Sequence, residues 1–557
     1  MSAPVMSAAG GQVYHPRQAR NMLIILAGMA LMVTYVETMV LPAYGNFVTF
    51  FDNAPTSTVV WILSAYLLVG VVATPVFGKL GDIYGKKKML LVAMGVYAAA
   101  VSVAGFTPNI GDAFGVPLPN QIYLLIGARA VQGIGMGMFP LAFAMIPEFF
   151  PANRVGPAQG IVSAMFAGGA CIGLVVGGWL AQAYGWPLTY HTVIPAAVGL
   201  LILAWFILRE SPTLTGERLD LPGISSLGLA LTFLMLAVTE STYWGWTSLS
   251  GGTIAGVAWG VPEFLVLSVL LFAFFGYWET RAPSPVIRLR SLKVRNILVS
   301  NITAVVAGLM LFIVFTTLTI LVEAYYFPAL SQTGFGQSEL WFGLIALPSA
   351  AGMLATGLPL GRLTSRYGPK PVMILGFALA TVGGLLLTQY ANPSFQITLV
   401  STSSGIQYLS PMLVSYPQPV PLILLLAPVL VLVGTVAVLI AMSNIIVLSV
   451  GPRELGVQTG MNQTFRNLGS AIGPVLVSSI LAAYIFNAVG PFDLYSTLAY
   501  QYCFLVLAVV AAIGLVSSFY LRNYRFESDG TRSDTHANPL AGPGAEPRAI
   551  FPTEPKA

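Results

Sequence analysis

Charge is scarce in this chain of 557 residues: Asp, Glu, Lys and Arg together make up 8% of it. Soluble domains carry about 25%, and a soluble protein of this length could not clothe its surface with so few ionised groups. A soluble enzyme, a nucleic-acid binder and a disordered scaffold are excluded on that ground. Histidine and cysteine are scarce too. His15, His191 and His536 lie far apart, and Cys171 and Cys503 each sit inside an apolar run. Neither a zinc site, a haem-ligand pair nor a disulfide framework fits such spacing, so no metal and no cofactor are expected. The apolar runs also lack the clustered histidines, paired aspartates or Ser/Lys dyad that an intramembrane enzyme would need. What abounds is apolar: 56% of residues are hydrophobic and the mean hydropathy is +0.81. This is the composition of a multi-pass membrane protein.

A hydrocarbon core about 30 Å thick takes about 20 apolar residues per helix. That ruler marks fourteen spans, centred near residues 31, 69, 98, 132, 169, 199, 231, 268, 312, 350, 379, 435, 470 and 510. The first apolar run, Asn21 to Leu41, exceeds the core of a signal peptide and reads as a span, not a cleaved leader. Of the 25 basic residues, only Arg129 and Arg466 fall inside spans. All the others, from Arg17 and Arg20 to Arg522, Arg525, Arg532, Arg548 and Lys556, fall on alternate loops of one side. Positive charge stays on the cytoplasmic face, so both termini are expected there, in a plasma-membrane protein. The opposite loops carry Asp52, Asp112 and Asp493. One of them, Tyr390 to Pro419, alternates apolar and polar residues on both sides of Ser404-Gly405 and predicts a short β-hairpin. The tail after Arg522, rich in charge, Gly and Pro, is expected to be disordered.

An internal repeat divides the chain. GKLGDIYGKK begins at Gly78 and GRLTSRYGPK at Gly361, and they share Gly, Leu, Tyr, Gly and Lys at matching offsets. Gly169, Gly173 and Gly177 recur every four residues in the fifth span, and Gly469 and Gly473 do so in the thirteenth. Two six-span halves follow, around an inserted pair of spans. The expected division is a cytoplasmic segment 1–20, a first six-helix bundle 21–208, a linker with two extra helices 209–296, a second bundle 297–522 and a tail 523–557. Repeated halves about an axis normal to the membrane suit alternating access, with a site at the midplane between them.

These motifs resemble the major facilitator superfamily, and within it the fourteen-helix drug:proton antiporter branch, over roughly residues 20 to 525. The loop motif GxLaDrxGrk stands as Gly78 to Lys87, and the fourth-helix motif RxxqGxG as Arg129, Gln132, Gly133 and Gly135. The antiporter motif stands as Gly169, Gly173, Gly177 and Gly178, and the branch's thirteenth-helix pattern as Gly460, Asn462, Arg466, Leu468 and Gly469. Leu174 replaces that antiporter motif's proline, and in the first-helix motif Val36 and Gly45 take the places of Asp and Pro. The resemblance implies an all-α major facilitator fold and a proton-coupled exporter of amphipathic small molecules. The alternative is a symporter or carrier for one metabolite or ion. Its partners would be a small-molecule substrate, protons and the lipid bilayer, with no nucleic acid, and the protein would act as a monomer.

The candidate working residues are those a membrane interior should not hold. Glu37 is the one acid deep in the first half. Loss of water disfavours its charged form, which makes it a candidate proton carrier. Arg129 lies well inside the fourth span and costs on the order of 3 kcal/mol there unless paired; Glu37 is its expected partner. For the resembled family, that arginine is linked with proton transfer. Glu323, near the outer end of the ninth span with Tyr325 and Tyr326, is a second candidate coupling acid. Gln132, Asn462 and Arg466, with the two tyrosines, are expected to face a substrate cavity. Gly169, Gly173, Gly177 and Gly178, with Gly469 and Gly473, are expected to let helices approach closely. Gly78, Asp82, Gly85 and Lys86 form a candidate cytoplasmic latch, with Asp82 set against the positive end of the thirteenth helix near Glu454-Leu455-Gly456.

Overall fold

The computed structural model describes residues 15–534, apart from 44–45, 48–49, 53, 55, 211–218, 246, 248–251, 255–256, 284, 286–288, 324–325, 328–331, 334, 336–338, 392–406, 411–412, 416–419, 450–454, 490–491 and 527–531. Among the described residues, fourteen long helices carry the chain. The first six are α1 (Pro16–Thr38), α2 (Thr56–Tyr84), α3 (Lys86–Gly105), α4 (Leu118–Phe149), α5 (Ala152–Tyr184) and α6 (Trp186–Ile207). The inserted pair is α7 (Leu221–Trp244) and α8 (Val261–Glu279). The last six are α9 (Arg295–Glu323), α10 (Glu339–Tyr367), α11 (Pro369–Leu387), α12 (Ile423–Ser449), α13 (Leu455–Ala483) and α14 (Thr497–Phe519). Within α4 a 3-10 turn, Gly133–Gly137, joins Leu118–Gln132 to Met138–Phe149.

Thirteen of these helices are both long enough and apolar enough to cross a bilayer. The fourteenth, α13, has the length of a span but carries Gln458, Asn462, Gln463, Arg466 and Asn467 along it. Those polar groups are buried or half-buried against other helices, so the sequence there looks less like a span than its packing requires. The first helix starts at Pro16, a few residues ahead of the expected boundary at 21, because proline fits the first turn of a helix.

The repeat is visible as packing. On α5, a Cβ at Gly169, Gly173 or Gly177 would strike the backbone of α1, at Gly177 lying 2.7 Å from Met39 Cα. On α13, Gly469 and Gly473 sit against α9 in the same way, Gly473 with 3.0 Å to Phe312 Cβ. α1 with α5 and α9 with α13 are thus equivalent pairs, eight helices apart. Gly178 is buried beside Gly177. Lipid gives helices no hydrophobic reason to associate, so backbone-to-backbone van der Waals contact has to supply it.

Two walls join the halves. α5 lies along α10, where a Cβ on Gly160 would stand 3.4 Å from Gly361 Cα and Gly343 abuts Val175. α2 lies along α13, where Gly460 faces Pro75 and Thr74. The inserted pair packs on itself, with Ser268 donating to the Ala230 carbonyl at 2.8 Å. It leans on α2 and α13 through Leu227, Leu231 and Phe275 against Val71 and Met461.

Strands are confined to five two-stranded hairpins among the described residues. In the long loop, Ser404-Gly405 lies outside the described residues, and the strands that pair are Gln407–Ser410 with Leu413–Ser415. Against the expectation of a structureless tail, Tyr524–Phe526 pairs with Arg532–Asp534. The last residue before the tail is tied down by a reciprocal pair: Asn296 Nδ2 donates to the Arg522 carbonyl at 3.0 Å and Arg522 N to Asn296 Oδ1 at 2.9 Å.

Candidate functional site

At mid-depth between the halves, α4 and α5 face α12 and α13 across a small cavity. It offers about 30 Å³ of space to water, room for a single water molecule. Phe139, Phe143 and Phe166 line one side and Met442, Asn462 and Arg466 the other. The Arg466 guanidinium stacks on the Phe166 ring, 4.0 Å from its centroid, and contacts the Gln463 amide. A desolvated guanidinium over an aromatic face is an electrostatic contact worth about 2 kcal/mol or more. Asn462 lines the cavity, yet its amide nitrogen turns to α9, donating to the Ser300 carbonyl at 3.0 Å.

Glu37 is buried on α1. Arg129 of its own half and Arg466 of the other are buried as well. The expected Glu37–Arg129 ion pair is not found among the described residues. Arg129 instead donates from Nε to the Ile62 carbonyl at 3.1 Å and from Nη1 to Gln132 Oε1 at 2.7 Å. It also lies 4.3 Å from the Tyr66 ring centroid. A carbonyl, an amide and a π face within its own half engage the guanidinium, while Nη2 is left buried without a hydrogen-bond partner. Gln132 serves that arrangement and, against expectation, does not line the cavity. Glu323 is the last residue of α9 and Tyr326 opens a two-residue strand; Tyr325 lies outside the described residues.

At the inner ends of α2 to α4, Lys86 Nζ lies 3.4 Å from Asp82 Oδ1 and 2.6 Å from Glu148 Oε1. Asp82 and Lys86 are buried despite standing at helix ends, and Gly78 and Gly85 are buried with them. Of the thirteenth-helix contact expected for Asp82, Glu454 lies outside the described residues, as do the side chains at 455 and 456. Gly85 takes φ +100°, and the Glu210 carboxylate occupies the place of its Cβ, accepting from Lys87 N at 2.9 Å and Lys88 N at 3.0 Å.

Sequence comparison decides the family. The model of the major facilitator superfamily matches residues 26–336 and again 302–551, together most of the chain. The chain belongs to the major facilitator superfamily. Its members are transporters, not enzymes, and this chain is a multi-pass membrane transporter. It is 24% identical to the multidrug transporter protein MdtP of Bacillus subtilis over 486 residues, 86% of this chain and 77% of that one. It is 27% identical to the tetracenomycin C resistance and export protein of Streptomyces glaucescens over 435 residues, 77% and 70% of the two chains. In structure it is similar to the proton:xylose symporter XylE bound to 6-bromo-6-deoxy-D-glucose, with a TM-score of 0.58 and 12% identity. That match covers 91% of this chain and 96% of the other.

For a major facilitator protein, the residues that sequence reasoning missed are spread over α2, α4, α5 and α13. Asn467 Nδ2 crosses between the halves to Thr74 Oγ1 at 3.3 Å and Met136 Sδ at 3.5 Å. Asn462, Arg466 and Ser470, spaced by four, share a helix face with their neighbours Gln463 and Asn467. That polar face was a readable signal. Glu148, an acid closing an apolar helix, was another. Tyr66, Phe139 and Phe166 had none, since an aromatic inside a span looks like core.

Proposed function

We propose that this transporter is a proton-coupled exporter of amphipathic small molecules, working by alternating access in the plasma membrane with both termini cytoplasmic. The observation that carries the reading is Glu37, an acid buried in the first half, with Arg466, a cation buried in the second half, crossing to the Phe166 ring of the first. When the halves rock, Arg129 travels with Glu37 and Arg466 does not. Proton occupancy of Glu37 is thereby tied to which side is open, and a ligand drives such a cycle only through its different affinity for the two states. Basic loops on one side support the orientation. The aromatic and guanidinium walls of the cavity suit flat, apolar molecules carrying a polar group. The printed names of the multidrug and export relatives agree with an efflux role.

A second reading, a symporter or carrier for one metabolite, is favoured by Leu174. In place of the antiporter motif's proline it packs fully buried within an unbroken α5. Purified protein in proteoliposomes with an imposed pH gradient separates the two. Export predicts that a lipophilic dye moves against the direction of proton flow; co-movement of proton and substrate would establish symport instead.

A further inference from the structure

We propose that the central cavity selects flat aromatic molecules that present a carbonyl or similar acceptor and carry no positive charge. The assignment rests on the export reading, in which this cavity is the substrate site, and names the class of substrate it takes. Arg466 is the single charged residue among the twelve that line it. No carboxylate pairs with its guanidinium among the described residues. Its Nε and Nη2 turn instead to the neutral amides of Gln463 and Asn467. Glu37 is not part of the lining. An organic cation in the cavity would therefore meet a guanidinium in a low-dielectric interior, where like charges repel strongly, and no carboxylate to offset it.

The lining that repels a cation offers donors to an acceptor. With Nε and Nη2 engaged, Nη1 is the guanidinium donor left for a ligand. Ser163 of α5 also lines the cavity, and its buried hydroxyl has no hydrogen-bond partner among the described residues. A buried hydroxyl without a bond is costly, and a carbonyl oxygen brought into the cavity relieves that cost. The rings set the shape. Phe139 and Phe166 meet edge to face with centroids 4.8 Å apart, and the Arg466 guanidinium lies 5.8 Å from the first centroid and 4.0 Å from the second. Both rings belong to the first half and Arg466 to the second, so the stack crosses the seam that alternating access opens. A planar molecule entering as the walls part lies between the Phe166 face and the guanidinium plane, each of which stacks on flat π systems. Leu439, Met442 and Ile446 of α12 cover it with an apolar wall.

Two dyes built on one three-ring frame isolate the charge: N-methylacridone, neutral with a ring carbonyl, and N-methylacridinium, a cation without one. Binding to full-length protein in maltoside is read by the fluorescence polarisation of each dye. The wild type should bind N-methylacridone about tenfold or more tighter than N-methylacridinium, the worth of a hydrogen bond to a charged group. Arg466→Gln should weaken N-methylacridone binding by about the same factor and erase the preference. Ser163→Ala should weaken it about three- to tenfold, the worth of a neutral hydrogen bond, and leave the affinity for the cation unchanged. Should Arg466→Gln not fold, the wild-type preference and Ser163→Ala decide. Equal binding of the two dyes by the wild type, binding of neither, or a preference that survives Arg466→Gln would overturn the assignment. Proteoliposomes with an imposed pH gradient separate this failure from that of export. Gradient-driven movement of N-methylacridinium alone would overturn the substrate class and leave export standing. N-methylacridone that binds as expected but is not moved by the gradient would overturn export and leave the class.

Discussion

Glu37 and Arg466 sit on opposite halves, and that placement makes Glu37 more than a buried acid. A carboxylate removed from water is tolerated only where cations or donors stand in for the lost solvent. Arg129 is already held by Ile62, Gln132 and Tyr66 of its own half, so Arg466 is the cation whose distance can change. Glu37→Gln should abolish accumulation driven by a pH gradient while leaving substrate binding and downhill exchange, measured in the same vesicles. If Glu37→Gln still pumps uphill, the proton site is elsewhere and Glu323 becomes the next residue to test. Arg466→Gln should lower gradient-driven uptake at least tenfold, and Arg466→Lys should restore the charge but not the planar contact with Phe166. Its uptake should then lie between the two. Uptake by Arg466→Gln equal to that of the wild type would remove Arg466 from the coupling.

Helices carry the repeat more fully than its ten-residue motifs suggest. Gly85 and Gly368 align in the two copies, and both take positive φ, +100° and +87°. Behind each stands a polar side chain from just beyond the half's last helix: Glu210 accepts from Lys87 N, and Asn523 Oδ1 accepts from Lys370 N at 3.2 Å. The lysines agree too, Lys87 Nζ donating to the Trp205 carbonyl at 2.7 Å and Lys370 Nζ to that of Phe519 at 2.9 Å. Each half is therefore closed at its inner end by the same staple. Gly85→Ala and Gly368→Ala should each cost about 1–3 kcal/mol, from left-handed backbone strain and the displaced side chain. Thermal unfolding in detergent reads the loss, and unchanged melting would show that the backbone relaxes there. The sequence made the paired motifs, the glycine faces and the span count legible, because each follows from periodicity or spacing. It did not make legible the staple's distant caps Glu210 and Asn523, nor the true partners of Arg129. Those depend on which helix ends meet in space, and a lone chain has no local signal for that.

For the whole molecule the question is which parts move. The cavity between the halves admits one water and no organic substrate, so transport requires the walls to part. Orientation can be tested first, in a background of Cys171→Ala and Cys503→Ala. Cysteines placed within 107–119 and 486–499 should label from outside intact cells, and ones at 282 or 530 should not; outside labelling at 282 would sink the fourteen-span arrangement. The latch predicts the inner wall's behaviour. Asp82→Asn removes one of the carboxylates that hold Lys86 and keeps Glu148, and should insert normally but transport poorly, with its cytoplasmic side more open to labelling. The glycine wall gives the sharpest test. Near the inner ends of α5 and α10, a Cβ on Gly160 would lie 3.4 Å from Gly361 Cα, so two cysteines there come within reach of a disulfide. Gly160→Cys with Gly361→Cys should cross-link under mild oxidation and hold the inner side shut. Transport should then cease and return on reduction, while either single cysteine variant transports under both conditions. A cross-linked protein that transports at the uncross-linked rate would show that α5 and α10 stay together through the cycle, and the moving seam would have to be sought at α2 and α13.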